Sequence, residues 1–216
     1  YKSINDGYKE ITILPMFPQY STTTTLSIFE LIRSIIKKDK SFFKNITIKA
    51  VKDFHDNSLY IKSCASKIKE ARERLGNPDK LLFSFHGIPE SYICDDEPYQ
   101  MQCLSTASLI AKELNLDHMQ YEVAFQSRFG KAEWIKPYLS SRLEELPKEG
   151  IKNIHVFCPG FSSDCLETID EIGRESKEEF LENGGESFEF IPCLNSDDSF
   201  INALMDIQKQ ADIRIL

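Results

Sequence analysis

Residues 151–175 read IKNIHVFCPGFSSDCLETIDEIGRE, and this stretch decides the fold class. An apolar run at 154–157 meets a Pro159-Gly160 turn, then Ser162, Ser163 and Asp164, then a helical pattern. Run length, breaker residues and capping chemistry predict a buried strand, a tight turn and a helix start. In open α/β sheets, ligands bind just outside the carboxyl ends of such strands. This turn carries carboxylates. At about 100° per residue, Asp164, Glu167, Glu171 and Glu175 fall on one narrow helix face, and Leu166, Ile169, Ile172 and Phe180 on another. A purely local role also fits, because Asp164 suits an N-cap and Glu167, three residues on, completes capping-box spacing. The helix dipole favours acids in a first turn as well.

Outward from this stretch, strand and helix signals alternate. Short strands are expected at 11–14, 46–51, 81–85, 121–125, 151–157 and 187–191. Helices are expected at 26–38, 59–75, 101–114, 138–146, from about 164 to the Gly184-Gly185 stop, and at 197–212. Thr23–Thr25 are placed to cap the first of these helices. The alternation predicts mostly parallel sheets covered on both faces. From 81 onward four strands make a complete small doubly wound unit, and before them stand only two strand–helix pairs; if the chain consists of two similar lobes, the first is incomplete. Tyr1 in place of Met points the same way.

Composition narrows the function. The 216 residues are 41% hydrophobic with a formal net charge of −8, which disfavours general attraction to nucleic acid or anionic membranes. No apolar stretch is long enough to span a bilayer. The six cysteines, at 64, 94, 103, 158, 165 and 193, show neither CxxC nor paired metal-ligand spacing. Reduced thiols in a cytoplasmic protein are the expectation. Neither GxGxxG, GxxxxGK[ST] nor GxSxG occurs, so nucleotide binding and Ser hydrolase chemistry lack support. Polar residues do converge where three parallel strands should end: His86, then Gln126-Ser127-Arg128, then Asp164 and Glu167. A His at a strand end is also an ordinary turn residue, and Trp134 is either core or the wall of an aromatic-binding pocket.

Five motifs in order, LPMFPQYSTTTT, SFHGIPESY, EPYQMQC, FQSRFGKAEW and CPGFSSDCLETIDEI, resemble the ferrochelatase family. The resemblance runs from about 11 to 207, and the DCLET form is similar to the proteobacterial type. It implies an enzyme that inserts ferrous iron into protoporphyrin IX to form protohaem, in a cleft between two Rossmann-like lobes: 1–78 as the C-terminal part of the first, 79–192 as the second, and 193–216 as a helical segment packing back on the first. His86 and Glu167 match the catalytic pair facing the ring centre and the Fe²⁺ substrate. Asp164 and Glu171 match an acidic relay for protons or metal. Gln126, Ser127, Trp134 and Phe161 match cleft-lining positions. Porphyrin and iron are the implied partners, with no tightly bound cofactor and no iron–sulfur cluster. Membrane contact and oligomeric state stay open.

That chemistry suits the residues. Two pyrrole protons must leave as the metal enters, so acceptors are needed at the ring centre. Ferrous iron accepts imidazole and carboxylate ligands. Crowded carboxylates are expected to have raised pKa values, and His86 either accepts a proton or binds iron. Two departures stand out. Asp96 replaces the glycine of a GDPY-like turn, and Cys165 stands where animal enzymes carry a histidine. Coproporphyrin as substrate, cobalt insertion into another tetrapyrrole, and a non-catalytic porphyrin carrier are the rival readings. With part of the first lobe expected to be missing, the chain alone is expected to be inactive.

Overall fold

The computed structural model describes residues 1–215. In chain order its main elements are α1 (Lys2–Asn5), β1 (Glu10–Ile13), α2 (Ser27–Lys38), β2 (Thr47–Ala50), α3 (Ser58–Leu75), β3 (Lys80–His86), α4 (Tyr99–Glu113) and β4 (Tyr121–Gln126). They continue with α5 (Leu139–Glu145), β5 (Asn153–Phe157), α6 (Leu166–Ile169), α7 (Lys177–Glu182), β6 (Ser187–Ile191), α8 (Asp198–Ile207) and β7 (Ile213–Arg214).

The strands form two sheets. One is wholly parallel, in the order β4-β3-β5-β6. Its central strand is apolar on both faces, as a doubly covered parallel strand must be. Leu81, Phe83 and Phe85 pack on one side with residues of α3, α4 and α8. Leu82 packs on the other with residues of α5 and α7. The order puts the ends of β3, β4 and β5 side by side, where the site is built.

The second sheet is smaller, in the order β1-β2-β7. β1 and β2 run parallel, as the alternation predicts, and β7 joins β2 antiparallel. β7 has no counterpart in the sequence reading, because two residues carry no periodic signal; its pairing with β2 creates it. Ile36, Phe43, Ile46 and Ile48 form the small core of this sheet. Sequence grouped α3 with this lobe, yet α3 packs on α4 and α8 in the core of the four-stranded sheet. The loop after β2 is therefore the crossover from one sheet to the other.

The acidic helix differs most from expectation. It is α6, then a π-helical segment Glu171–Ser176, then α7. The Glu175 N–H reaches back five residues to the Asp170 carbonyl, which widens the turn. A face drawn at 100° per residue does not survive such a turn. Ile172 and Phe180 are buried as expected, but Leu166 and Ile169 are 74% and 60% exposed. Asp164 is not the cap either. Cys165 is the N-cap, and its partner in the capping box is Thr168.

Candidate functional site

The sheet edge opens into a cleft of about 590 Å³, within the roughly 300–1,000 Å³ usual for small-molecule sites. Its walls are largely aromatic, with Phe17, Tyr92, Phe129, Trp134 and Phe161 among them, and it contains both His86 and Glu167.

His86 is the last residue of β3. Its Nδ1 lies 2.6 Å from the Gly87 carbonyl oxygen. A carbonyl only accepts, so Nδ1 carries a proton, and in the neutral ring Nε2 is the nitrogen with the lone pair. The Tyr99 hydroxyl donates to the His86 carbonyl at 2.8 Å and fixes the backbone from behind. Gly87 leaves little room for a side chain. A Cβ there would meet Trp134 Cε3 at 3.0 Å and the Gln126 carbonyl at 3.1 Å. Trp134 can therefore lie close to the strand end, buried, with its ring 6.3 Å from that of His86 and 4.9 Å from that of Phe129.

Glu167 reaches the same cleft from α6. A hydrogen bond from the Cys165 thiol, then its own backbone N–H and the nearby His86, hold its carboxyl below the ordinary 4.5. The expected upward shift from crowding is not found here, because the hydrogen-bond donors outweigh desolvation, the one influence that raises it. Asp164 behaves similarly. Burial alone would raise it, but Asn195, the Cys193 N–H and Thr168 donate to it and bring it below 3.8.

Asp164 is thus a tether for the 193–195 loop and does not line the cleft. Glu171 also points elsewhere. It accepts from the Ser127 N–H and hydroxyl, both at 2.6 Å, and lines a separate polar cavity of about 180 Å³ with Glu175 and Glu179. In that cavity Glu179 is raised by burial and by Glu144. The acids read from sequence as one ridge therefore serve two cavities, and the π-helical turn divides them.

Gln126 and Ser127, matched by resemblance to the cleft lining, sit in this second cavity instead. Gln126 is buried, accepts from Ser84 Oγ at 2.8 Å, and donates from Nε2 to the Glu167 carbonyl at 2.7 Å. It holds Glu167 in place from behind. Ser127 has a φ of 64°, rare for a side-chain-bearing residue, and its two bonds to Glu171 maintain that strained turn. Trp134 and Phe161 do line the cleft.

Sequence reasoning assigned no role to Glu97, yet it anchors one wall. Only 6% exposed, its carboxylate accepts from Ser21 Oγ at 3.0 Å, Thr22 N at 2.8 Å, Thr22 Oγ1 at 2.5 Å and Tyr99 N at 3.3 Å. Ser21 also caps the π-helical segment Thr22–Leu26 ahead of α2, a task expected of Thr23–Thr25. Nearby, Gln19 Nε2 donates to Thr106 Oγ1 at 3.0 Å, and the Ser162 hydroxyl donates to the Met16 carbonyl at 2.8 Å. These bonds fasten the Met16–Thr24 wall to the larger sheet's side of the cleft. The EPY and STTTT motifs were visible in the sequence; that one carboxylate joins them was not.

Fold and cleft together define a chelatase-type α/β protein. SirB from Bacillus subtilis with Fe³⁺ superposes with a TM-score of 0.68 at 14% identity, over 97% of this chain and 74% of that one. The sirohydrochlorin chelatase SirB from Bacillus subtilis subspecies spizizenii, in complex with cobalt, gives 0.64 at 12% identity, over 99% and 76%. The ferrochelatase family model matches residues 2–212, and the chain belongs to the ferrochelatase family. A ferrochelatase of Janthinobacterium sp. (strain Marseille) is 45% identical over 202 residues, 94% of this chain and 54% of that protein. The chain spans about half the length of the curated relatives it matches.

Proposed function

We propose that this chain carries the metal-insertion centre of a ferrochelatase, which places ferrous iron in protoporphyrin IX to form protohaem. The observation that carries the reading is the pairing, in one cleft with aromatic walls, of an imidazole anchored through Nδ1 and a carboxylate held ionised. A flat macrocycle stacks favourably on rings such as Trp134 and Phe129. Centred near His86, its pyrrole N–H groups meet an imidazole whose neutral form, with Nδ1 on the Gly87 carbonyl, offers Nε2 as acceptor for a departing proton.

Glu167 has a different task. Its lowered pKa makes it a weak base near neutrality, so its charge serves to attract and orient the incoming dication. Gln126 keeps that carboxylate in position through the Glu167 carbonyl. Porphyrin and ferrous iron are substrates, and the cleft reading calls for no resident cofactor. All six cysteines are unpaired, four of them buried, which fits a reducing, cytoplasmic setting. No helix among the described residues is long and apolar enough to cross a membrane.

The test is absorbance-monitored metal uptake, in a protein of the relatives' full length that contains these residues, with iron or cobalt against protoporphyrin, coproporphyrin and sirohydrochlorin. Iron with protoporphyrin should be preferred. Faster uptake of cobalt by sirohydrochlorin would refute the assignment. Porphyrin binding without loss of the N–H protons would instead point to a carrier.

A further inference from the structure

Asp53, His55 and Asp56 form a cluster that the cleft does not use. Among the described residues, one ligand atom from each lies within 4.8 Å of the other two. The His55 Nδ1 and Asp53 Oδ1 are 2.7 Å apart, with side chains 17% and 18% exposed, and Asp56 is exposed. The ion-pair contact found for Asp53 among the described residues is with His55 itself. Nearby Lys52 instead places its ammonium over the Tyr20 ring at 4.8 Å. One largely buried carboxylate and one exposed carboxylate thus gather around a single imidazole.

We propose that Asp53, His55 and Asp56 form a second metal site, for a divalent first-row transition ion such as Zn²⁺, Co²⁺ or Fe²⁺. The donor set argues for this class. Imidazole with two carboxylates suits such ions, whereas Mg²⁺ and Ca²⁺ favour oxygen alone. Bonds of about 2.0–2.2 Å to nitrogen and oxygen require only small side-chain adjustments from the present spacing. On binding, the ion replaces the hydrogen between Asp53 and His55: the Nδ1 proton passes to water, a neutral ring takes one from water at Nε2, and Nδ1 and the carboxylate turn their lone pairs to the ion. Water completes the coordination.

The backbone is already arranged for it. All three ligands lie within four residues, in the crossover loop between β2 and α3. Phe54, between the first two, is buried, donates from its N–H to the Pro18 carbonyl at 2.9 Å, and packs its ring on Tyr60. The His55 carbonyl accepts from Thr106 Oγ1 at 2.8 Å. Asn57 caps α3 through bonds from Leu59 N and Tyr60 N. A ligand loop held at both ends loses little freedom on binding. None of the three residues lines the cleft, so the site stands whether or not the cleft binds porphyrin.

The site is tested by titrating Zn²⁺, and Co²⁺ followed by its visible absorption, into protein carrying His86→Ala and Glu167→Gln, which removes both cleft donors. One equivalent should bind, with a rise in Tm. Adding Asp56→Asn should weaken binding at least ~10-fold, and His55→Ala should abolish the Co²⁺ signal. Because Asp56 is exposed, its variant folds even if the His55 variant does not. Equal isotherms with and without Asp56→Asn, or no binding in the double variant, would overturn the proposal.

Discussion

Replacing Glu97 with Gln keeps the side chain's shape and exchanges one acceptor oxygen for an NH₂ group. Every partner of Glu97 in the cleft wall is a donor: Ser21 Oγ, Thr22 N, Thr22 Oγ1 and Tyr99 N. Three of them share Oε2, so the amide oxygen should take that position. The NH₂ then faces the Tyr99 N–H, donor against donor, and the remaining bonds lose their charge assistance. Hydrogen bonds to charged groups contribute about 1.5–3 kcal/mol each, and a stranded buried donor costs about 1–3 kcal/mol. A net loss of about 2–4 kcal/mol follows once the surviving neutral bonds are counted. For a chain of this size that lowers Tm by about 5–12 °C. Ser21, Thr23 and Thr24 line the cleft, so loosening this wall should also weaken porphyrin binding, by about 10-fold if ~1.4 kcal/mol of positioning is lost. Thermal unfolding by circular dichroism and porphyrin absorbance titration measure the two effects. A Tm within about 1 °C of the parent, with unchanged porphyrin affinity, would refute the idea that Glu97 anchors the wall.

Other outcomes follow from the same geometry. Measured, like the Glu167 variant, in a protein of the relatives' full length, His86→Ala should fold normally and lose at least ~10²-fold in metal insertion, the scale for losing a positioned base; near-normal turnover in a folded variant would remove His86 from the mechanism. Glu167→Gln should lose insertion with little change in Tm, since Cys165 and Thr168 form the capping box without it; unchanged activity would leave Glu167 without a role in insertion. Gly87→Ala should displace the Trp134 ring, read as a change in tryptophan fluorescence and weaker porphyrin binding; an unaltered spectrum would contradict the close approach. Asp164→Asn bears on pH. The folded-state pKa of Asp164 is lowered, so its stabilisation is present above the ordinary 3.8 and fades as pH falls through the folded value. The Tm gap between parent and variant should therefore be full near neutrality and close on the acid side, and a gap independent of pH would argue against the Asn195, Cys193 and Thr168 bonds as its source.

Much of this protein was legible in the chain itself. The apolar runs of β3 to β6 and the breakers between them determine a parallel sheet, because doubly buried strands need apolar residues on both faces. His86 and Glu167 could be singled out because each follows a strand signal whose end must lie at the sheet's edge. The course of the chain after Cys165 was not legible. A 3.6-residue period presumes a regular helix, and the π-helical turn at Glu171–Ser176 turns Glu171 away from the cleft towards the strained Ser127. That turn gains its stability from Gln126 and Ser127, 41 and 44 residues earlier in the chain than the groups they bond, so no local pattern announces it. The same holds for Glu97, whose partners lie 75 residues or more away apart from Tyr99, and for β7, which exists only by pairing with β2. Local propensity and periodicity reach about one turn or one strand. Which carboxylate meets the ligand and which clamps the backbone is decided by contacts that form only when distant segments pack.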